Sequence, residues 1–239
     1  MRYLILSDIH ANRAALDAVI AAARGHYDVI LNCGDVVGYG PDPNYAVAFC
    51  RELCRHTIRG NHDKAAVGLT ELEWFNPVAR TSALWTGGVL TMENADWIAA
   101  LPQGPQEVDG FSLVHGSPVD EDEYMVDLSD AEAAASGAHT SLLFFGHTHL
   151  QGGFQLHRSG SRMIRPAIIT VDDGSLWFMN PGSVGQPRDG DPRAGWAVYE
   201  SASRTVAYHR TEYDIDDTYH RIVDAGLPEV LGLRLYRGI

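Results

Sequence analysis

Positive charge is scarce in this sequence. Its 239 residues hold 18 lysines and arginines against 31 acids, a formal net charge of −13, and Lys64 is the only lysine. Such a chain lacks the broad positive face that displaces counterions, which argues against nonspecific binding to duplex nucleic acid. A small phosphorylated substrate stays open, because local charge at a site can oppose the net charge. Cysteine is rare as well: Cys33, Cys50 and Cys54 are an odd number without disulfide-framework spacing. Cys50 and Cys54 lie at i, i+4 on an expected helix; a reduced, half-buried pair is the plainer reading than a metal-binding one. The cytoplasm is therefore the expected compartment. No uninterrupted apolar run reaches about 18 residues, so no membrane-spanning helix is expected. Met1 to Asp8 brings an acid where a signal peptide's apolar run would continue, and it reads as a strand of the mature protein. Linkers, repeats and low-complexity tracts are missing too, and one domain over residues 1–239 is expected.

What is present is an ordinary globular balance, 45% hydrophobic and 21% charged. Tyr3 to Leu6 reads as a strand buried on both faces. From Asn12 the pattern turns helical, with Leu16, Val19, Ile20 and Ala23 on one stripe and Gly25 closing it. Val29 to Leu31, a helix over roughly Tyr45 to Cys54 and a short strand Thr57 to Arg59 complete a strand–helix alternation that implies a parallel sheet. A helical stretch rich in tryptophan (Trp74, Trp85, Trp97) occupies about 69–101 and reads as core packing or as a lid. Strands are expected at Phe111–Val114, Leu142–Phe145, Ile164–Val171, Leu176–Met179, Trp196–Tyr199 and Val206–Tyr208. A last helix spans about Asp214 to Ala225, with Asp216 and Asp217 in its first turn. The fold class is α/β, with two layers of sheet and helices outside.

Chemistry collects just after the strands, at Asp8, His10, Asp35, Asn61, His62, His115, His147 and His149. Parallel strands share a C-terminal edge, where ligands of α/β folds bind. A single histidine in such a turn is commonly a hydrogen-bonded turn residue. Five of them, beside two acids and an asparagine, are not explained that way. Imidazole with carboxylate suits zinc, manganese, iron or nickel rather than calcium or magnesium. About seven ligands exceed the needs of one tetrahedral ion and point to two. Asp8 and His10 alternate, so on an extended chain they reach the same way; His147 and His149 repeat the spacing.

Asp8-Ile9-His10, Gly34-Asp35, Gly60-Asn61-His62-Asp63, His115 and Gly146-His147-Thr148-His149 resemble, in order, the five blocks of the calcineurin-like metallophosphoesterases. The resemblance runs from Ser7 to about Val184, where Asn180-Pro181-Gly182-Ser183 is similar to the family's closing loop. Gly38-Tyr39-Gly40-Pro41 and the run from Gln186 to Arg193 resemble a bacterial, phosphodiesterase-like subgroup. The resemblance implies a four-layer α/β/β/α sandwich with two mixed sheets. It implies that Asp8, His10 and His149 hold one ion, that Asn61, His115 and His147 hold the other, and that Asp35 bridges. His62 would then face substrate, with Asp63 orienting its imidazole and Thr148 supporting the histidine pair. Two divalent ions about 3.5–4 Å apart, manganese first, with iron, zinc or nickel compatible, would activate a shared water as hydroxide for in-line attack on phosphorus. A protonated His62 would stabilise the developing charge or donate to the leaving group. The implied activity is hydrolysis of phosphodiester or phosphomonoester bonds in a small, nucleotide-like substrate, with no membrane partner.

Weaker candidates for substrate contact are Asn12, Arg80 and Arg188. Asn12 is also placed to cap the first helix, and the arginines follow proline-containing turns in an acidic chain. Three other readings remain. A protein phosphatase is weakened because Val36-Val37-Gly38-Tyr39 follows Asp35 where those members carry an acidic-Arg-Gly run. Dinucleoside polyphosphate hydrolysis is the second. The third, a metal-binding scaffold without turnover, is disfavoured by the intact set of ligand positions.

Overall fold

The computed structural model describes residues 1–239, and its first strand shows why the chain builds four layers. β1 (Arg2–Leu6) turns Leu4 and Leu6 to one face and Tyr3 and Ile5 to the other, and all four are buried. A strand covered on both sides needs a layer above and a layer below. On one side Leu4 and Leu6 meet Leu16 and Val19 of α1 (Arg13–Ala23). The chain then alternates through β2 (Val29–Asn32), α2 (Pro43–Leu53) and β3 (Cys54–Thr57), with β1, β2 and β3 parallel as expected. α3 (Asn61–Ala66), a 3₁₀ turn at Leu72–Trp74, α4 (Pro77–Val89) and α5 (Met92–Ala99) follow.

The second half is mostly strand: β4 (Gln106–Val108), β5 (Phe111–Leu113), then α6 (Leu128–Ala134), β6 (Leu142–Phe144), β7 (Gly152–Leu156), β8 (Arg162–Ile164), β9 (Ile168–Thr170), β10 (Leu176–Asn180), β11 (Ala194–Glu200) and β12 (Thr205–Thr211). α7 (Ile215–Asp224), α8 (Val230–Leu233) and a 3₁₀ turn over Arg234–Arg237 end the chain. Two mixed sheets result, ordered β3-β2-β1-β11-β12-β9 and β4-β5-β6-β10-β7-β8. Tyr3, Ile5, Leu31 and Tyr199 of the first sheet interlock with Phe111, Leu113, Phe144 and Trp177 of the second. The far face of the second sheet, with Leu143, Phe145 and Phe178, is covered by Ala131 and Ala134 of α6. This is the α/β/β/α sandwich that the resemblance implies.

Two expectations need correction. The third strand is Cys54–Thr57, not Thr57–Arg59; it is an edge strand whose Cys-Arg-His start has no apolar run to announce it. The expected strand Ile164–Val171 is two strands in different sheets, β8 beside β7 and β9 beside β12. Pro166 lies at the break, where a residue without an N–H ends the ladder. Trp196 is buried on β11 at 3% exposure, whereas Trp74 is 90% exposed. β4, β7, α6 and α8 were not visible in the pattern. The terminal helix is where expected, capped by Asp214, whose carboxylate accepts from the Asp217 N–H. All three cysteines are free thiols, and no helix is long and apolar enough to cross a membrane.

Candidate metal centre

Five strand ends deliver the site. β1 runs into Asp8 and His10, β2 into Asp35, β3 through Gly60 into Asn61 and His62 at the head of α3, β5 into His115, and β6 into His147 and His149. The chain pays a local cost there. Asp8, His10, Asp35, His147 and His149 sit at φ of 52°, 47°, 52°, 65° and 60°, the left-handed region that non-glycine residues avoid by about 1–3 kcal/mol each. Their turns are held by hydrogen bonds between the loops, such as the Asp8 N–H to the Gly34 carbonyl and the His10 N–H to the Asp35 carbonyl, both 3.0 Å.

The ligand atoms form two sets. Asp8, His10, Asp35 and His149 offer atoms all within 4.8 Å of one another, and so do Asp35, His115 and His147. Asn61 joins the second set, its Oδ1 3.3 Å from His115 Nε2. Asp35 belongs to both, with Oδ2 3.5 Å from His10 Nε2 and 3.5 Å from His115 Nε2. The seven side chains named from the sequence therefore converge, in the division that the resemblance implies.

Four imidazoles share one wiring. His10 Nδ1 lies 3.0 Å from the Val37 carbonyl, His115 Nδ1 2.8 Å from that of Cys33, His149 Nδ1 2.5 Å from that of Gln186, and His147 Nε2 3.1 Å from that of Asp122. A carbonyl only accepts, so each of these nitrogens carries the proton and the other is left for a cation. Burial lowers His10 and His149 well below the ordinary imidazole value and brings His147 to about 3, so these rings are neutral near pH 7. Burial alone would lower His115 too, but the Asp35 carboxylate 3.5 Å away, with Asp8 behind, holds it at about 10. A proton there occupies the place of a cation.

The residues fit a pair of divalent ions. Asp8 Oδ2 and Asp35 Oδ2 are buried without a hydrogen-bond partner; in the metal-free protein the charge there is offset only by protonated His115, 3.5 Å from Asp35 Oδ2, and a divalent cation would offset it better. His10 Nε2 and His149 Nε2 stand 3.1 Å apart, where two lone pairs repel unless something positive lies between. The mixed nitrogen and oxygen donors suit manganese, iron, zinc or nickel. Residues 1–204 match the calcineurin-like phosphoesterase superfamily domain. The chain belongs to that superfamily. An uncharacterized protein of Methanocaldococcus jannaschii is 34% identical over 240 residues, covering 98% of this chain and 97% of its own. The crystal structure of a metallophosphoesterase from Sphaerobacter thermophilus matches with a TM-score of 0.88 at 38% identity, over 100% of this chain and 99% of that one. A hypothetical protein from Pyrococcus horikoshii gives 0.80 at 20% identity, over 100% and 98%, a likeness of fold.

Around this phosphoesterase centre the other expected residues divide. His62 is buried on the wall of a cavity of about 360 Å³ beside Asn61 and His147, and its Nδ1 has no partner. Burial pulls it down to about 4, so it is neutral near pH 7 rather than the imidazolium expected from sequence. Asp63 does not touch that ring: its carboxylate accepts from the Val37 N–H at 3.0 Å and the Gly60 N–H at 2.9 Å, which ties two ligand loops together. Thr148 likewise serves the fold, accepting from Asn180 at 3.0 Å. Asn12 caps α1 through the Ala15 N–H, donates to the Gly185 carbonyl and accepts from Thr218. It is buried and spent on the fold. Arg80 is exposed on α4, outside the cavity that Asn76 and Ala79 line. Arg188 is at the centre's edge, its guanidinium 5.6 Å from the Tyr39 ring centroid.

Sequence reasoning missed the aromatic and charged surround of the phosphoesterase site. Tyr39 packs on His10 and His62 at 4.7 and 4.3 Å between ring centroids, Phe75 edges His62 at 5.4 Å, and Tyr124 stacks on His147 at 3.8 Å. The glycines flanking Tyr39 were its one signal. A Cβ on Gly40 would run into the His10 carbonyl, so only glycine lets this loop lie against the ligand turn. Lys64 is buried and pairs with Glu121 at 2.9 Å and Asp122 at 2.7 Å. It thereby fixes the segment that gives His147 its carbonyl partner and Tyr124 its place.

Proposed function

We propose that this protein is a metal-dependent phosphoesterase that uses two divalent ions, manganese first, to hydrolyse phosphodiester or phosphomonoester bonds in a small, nucleotide-like substrate. The observation that carries the reading is the buried Asp35 carboxylate, whose Oδ2 makes no hydrogen bond and stands at equal distance from a histidine of each ligand set. When bound, two ions at such a site supply an acidified water and a clamp for phosphoryl oxygens. The chain's own groups do the remaining work. Carbonyl-anchored imidazoles keep their lone pairs aimed without reorganisation. Neutral His62 offers one N–H to a phosphoryl or leaving oxygen from the cavity wall. The guanidinium of Arg188 offsets phosphoryl charge. The cavity's walls of Tyr39, Phe75, Trp74 and Tyr124 favour a planar group such as a nucleobase, and the subgroup resemblance favours the diester.

The test is hydrolysis of a chromogenic phosphodiester and a chromogenic monoester by chelated protein, before and after manganese is restored. Turnover that requires the metal is expected. Metal uptake with no turnover of either ester would favour the scaffold reading instead. In the same assay His62→Ala should bind metal normally yet lose about 10²-fold in turnover; normal turnover by the loaded variant would remove His62 from the chemistry.

A further inference from the structure

Arginine is the main cation of this acidic chain, and most partly buried guanidinia have an acid beside them, as Arg59 has Glu121 and Arg210 has Asp189. Arg188 and Arg234 do not. Both are half-buried and neither has a carboxylate within ion-pair distance, whereas the other unpaired arginines, such as Arg24, Arg158 and Arg165, are exposed to water. The two converge on one neutral acceptor: Gln186 Oε1 takes Arg188 Nη2 at 3.1 Å and Arg234 Nη1 at 3.4 Å. Arg188 also reaches the Tyr39 hydroxyl at 3.3 Å, and Arg234 Nε is buried with no partner at all. Two partly desolvated positive groups sharing a single amide oxygen are unfavourable unless an anion joins them. Planar guanidinia in this relation match phosphoryl oxygens.

Their placement gives direction. Gln186 also lends its carbonyl to the ligand His149, so Arg188 borders the metal centre and Arg234 lies one step further out. Arg234 comes from the terminal turn, beyond residues 1–204 that match the superfamily domain. The geometry points to a second anion subsite at Arg188 and Arg234, one that takes a phosphoryl group linked to the one at the metal centre. This rests on the phosphoesterase reading and narrows it to substrates with two linked phosphoryl groups.

Binding is the readout, so that it stands apart from turnover. Manganese-loaded protein is titrated calorimetrically with AMP and with methylene-bridged ADP. The wild type should bind the diphosphate analogue about tenfold more tightly than AMP, the worth of a charged hydrogen-bonded contact. Arg234→Met should bring that ratio close to one, and Arg234→Lys, which keeps the charge without the fork, should fall between. Equal affinities in the wild type, or an undiminished ratio in Arg234→Met, would overturn the subsite, and the wild-type comparison decides even if a variant does not fold. A protein that keeps the ratio but cleaves neither chromogenic ester retains the subsite and loses the phosphoesterase reading. One that cleaves them without the ratio does the reverse.

Discussion

His115 holds a proton that the other ligand histidines do not, and this sets how the centre responds to pH. In the metal-free protein Asp35 and Asp8 raise it from 6.5 to about 10, so protonated His115 stabilises the fold fully below pH 6.5 and loses that contribution as pH rises through 10. A cation must displace the same proton. Metal affinity should therefore climb with pH from about 6 to 9, with at least one proton released per chain at neutral pH, most of it from His115 and part from Asp8, which burial raises to about 7. Calorimetry in buffers of different ionisation enthalpy measures that release; His115→Gln should abolish most of it, and uptake without release would refute the assignment. At this scale the residues that converge were legible in the sequence because metal chemistry admits few residue types, and these candidate ligands stand beside strand ends. Tyr39, Phe75, Tyr124 and Arg234 were not, since aromatics and arginines serve many purposes and these reach the site only through folded loops. The role that the resemblance implies for Asp63, orienting the His62 imidazole, is not the one it has: on α3 its carboxylate reaches back to Gly60.

Among the elements, the tryptophan-rich stretch separates into two parts with different consequences. α4 is structural: its Ser82 hydroxyl accepts the Tyr39 N–H at 2.5 Å, and Ala79 joins Tyr39 in a buried apolar cluster with the terminal helices. The turn before it, Leu72–Trp74, has no buried residue. Removing 72–88 would thus take away the support of Tyr39 together with any lid. Trp74→Ala is the cleaner change. It should leave the thermal midpoint within about 1–2 °C, because the side chain is exposed. It should raise KM for aryl or nucleoside esters by about threefold to tenfold if the ring stacks on substrate; an unchanged KM would assign Trp74 to the plain surface. The strand–helix alternation of the first half was readable because the apolar runs of β1 and β2 are each followed by a helical stripe. The break at Pro166 was not, because β-branched residues on both sides of Arg165-Pro166 read together as one strand while they serve two sheets in succession.

Across the whole molecule, the two sheets bring distant segments to one edge, and the chain's end closes over it. Ile222, Leu227, Leu231 and Leu235 are buried against Tyr39 and Ala79. At about 1.5–3 kcal/mol for each side chain, their burial is comparable to the full stability of a domain. A chain ending at Glu212 keeps every strand, yet should melt at least about 15 °C lower by calorimetry; a smaller change would mean that the tail only decorates the fold. The sandwich was visible in the sequence through its family likeness and the doubly buried first strand, while the tail's role was not, because its helix pattern does not say what it covers. One oxygen, that of Asp35, faces both halves of the cage. On the proposed two-ion reading, filling either half would alter the field felt in the other, so the paired positions would load and empty as linked events, and a replacement at residue 35 would retune both together.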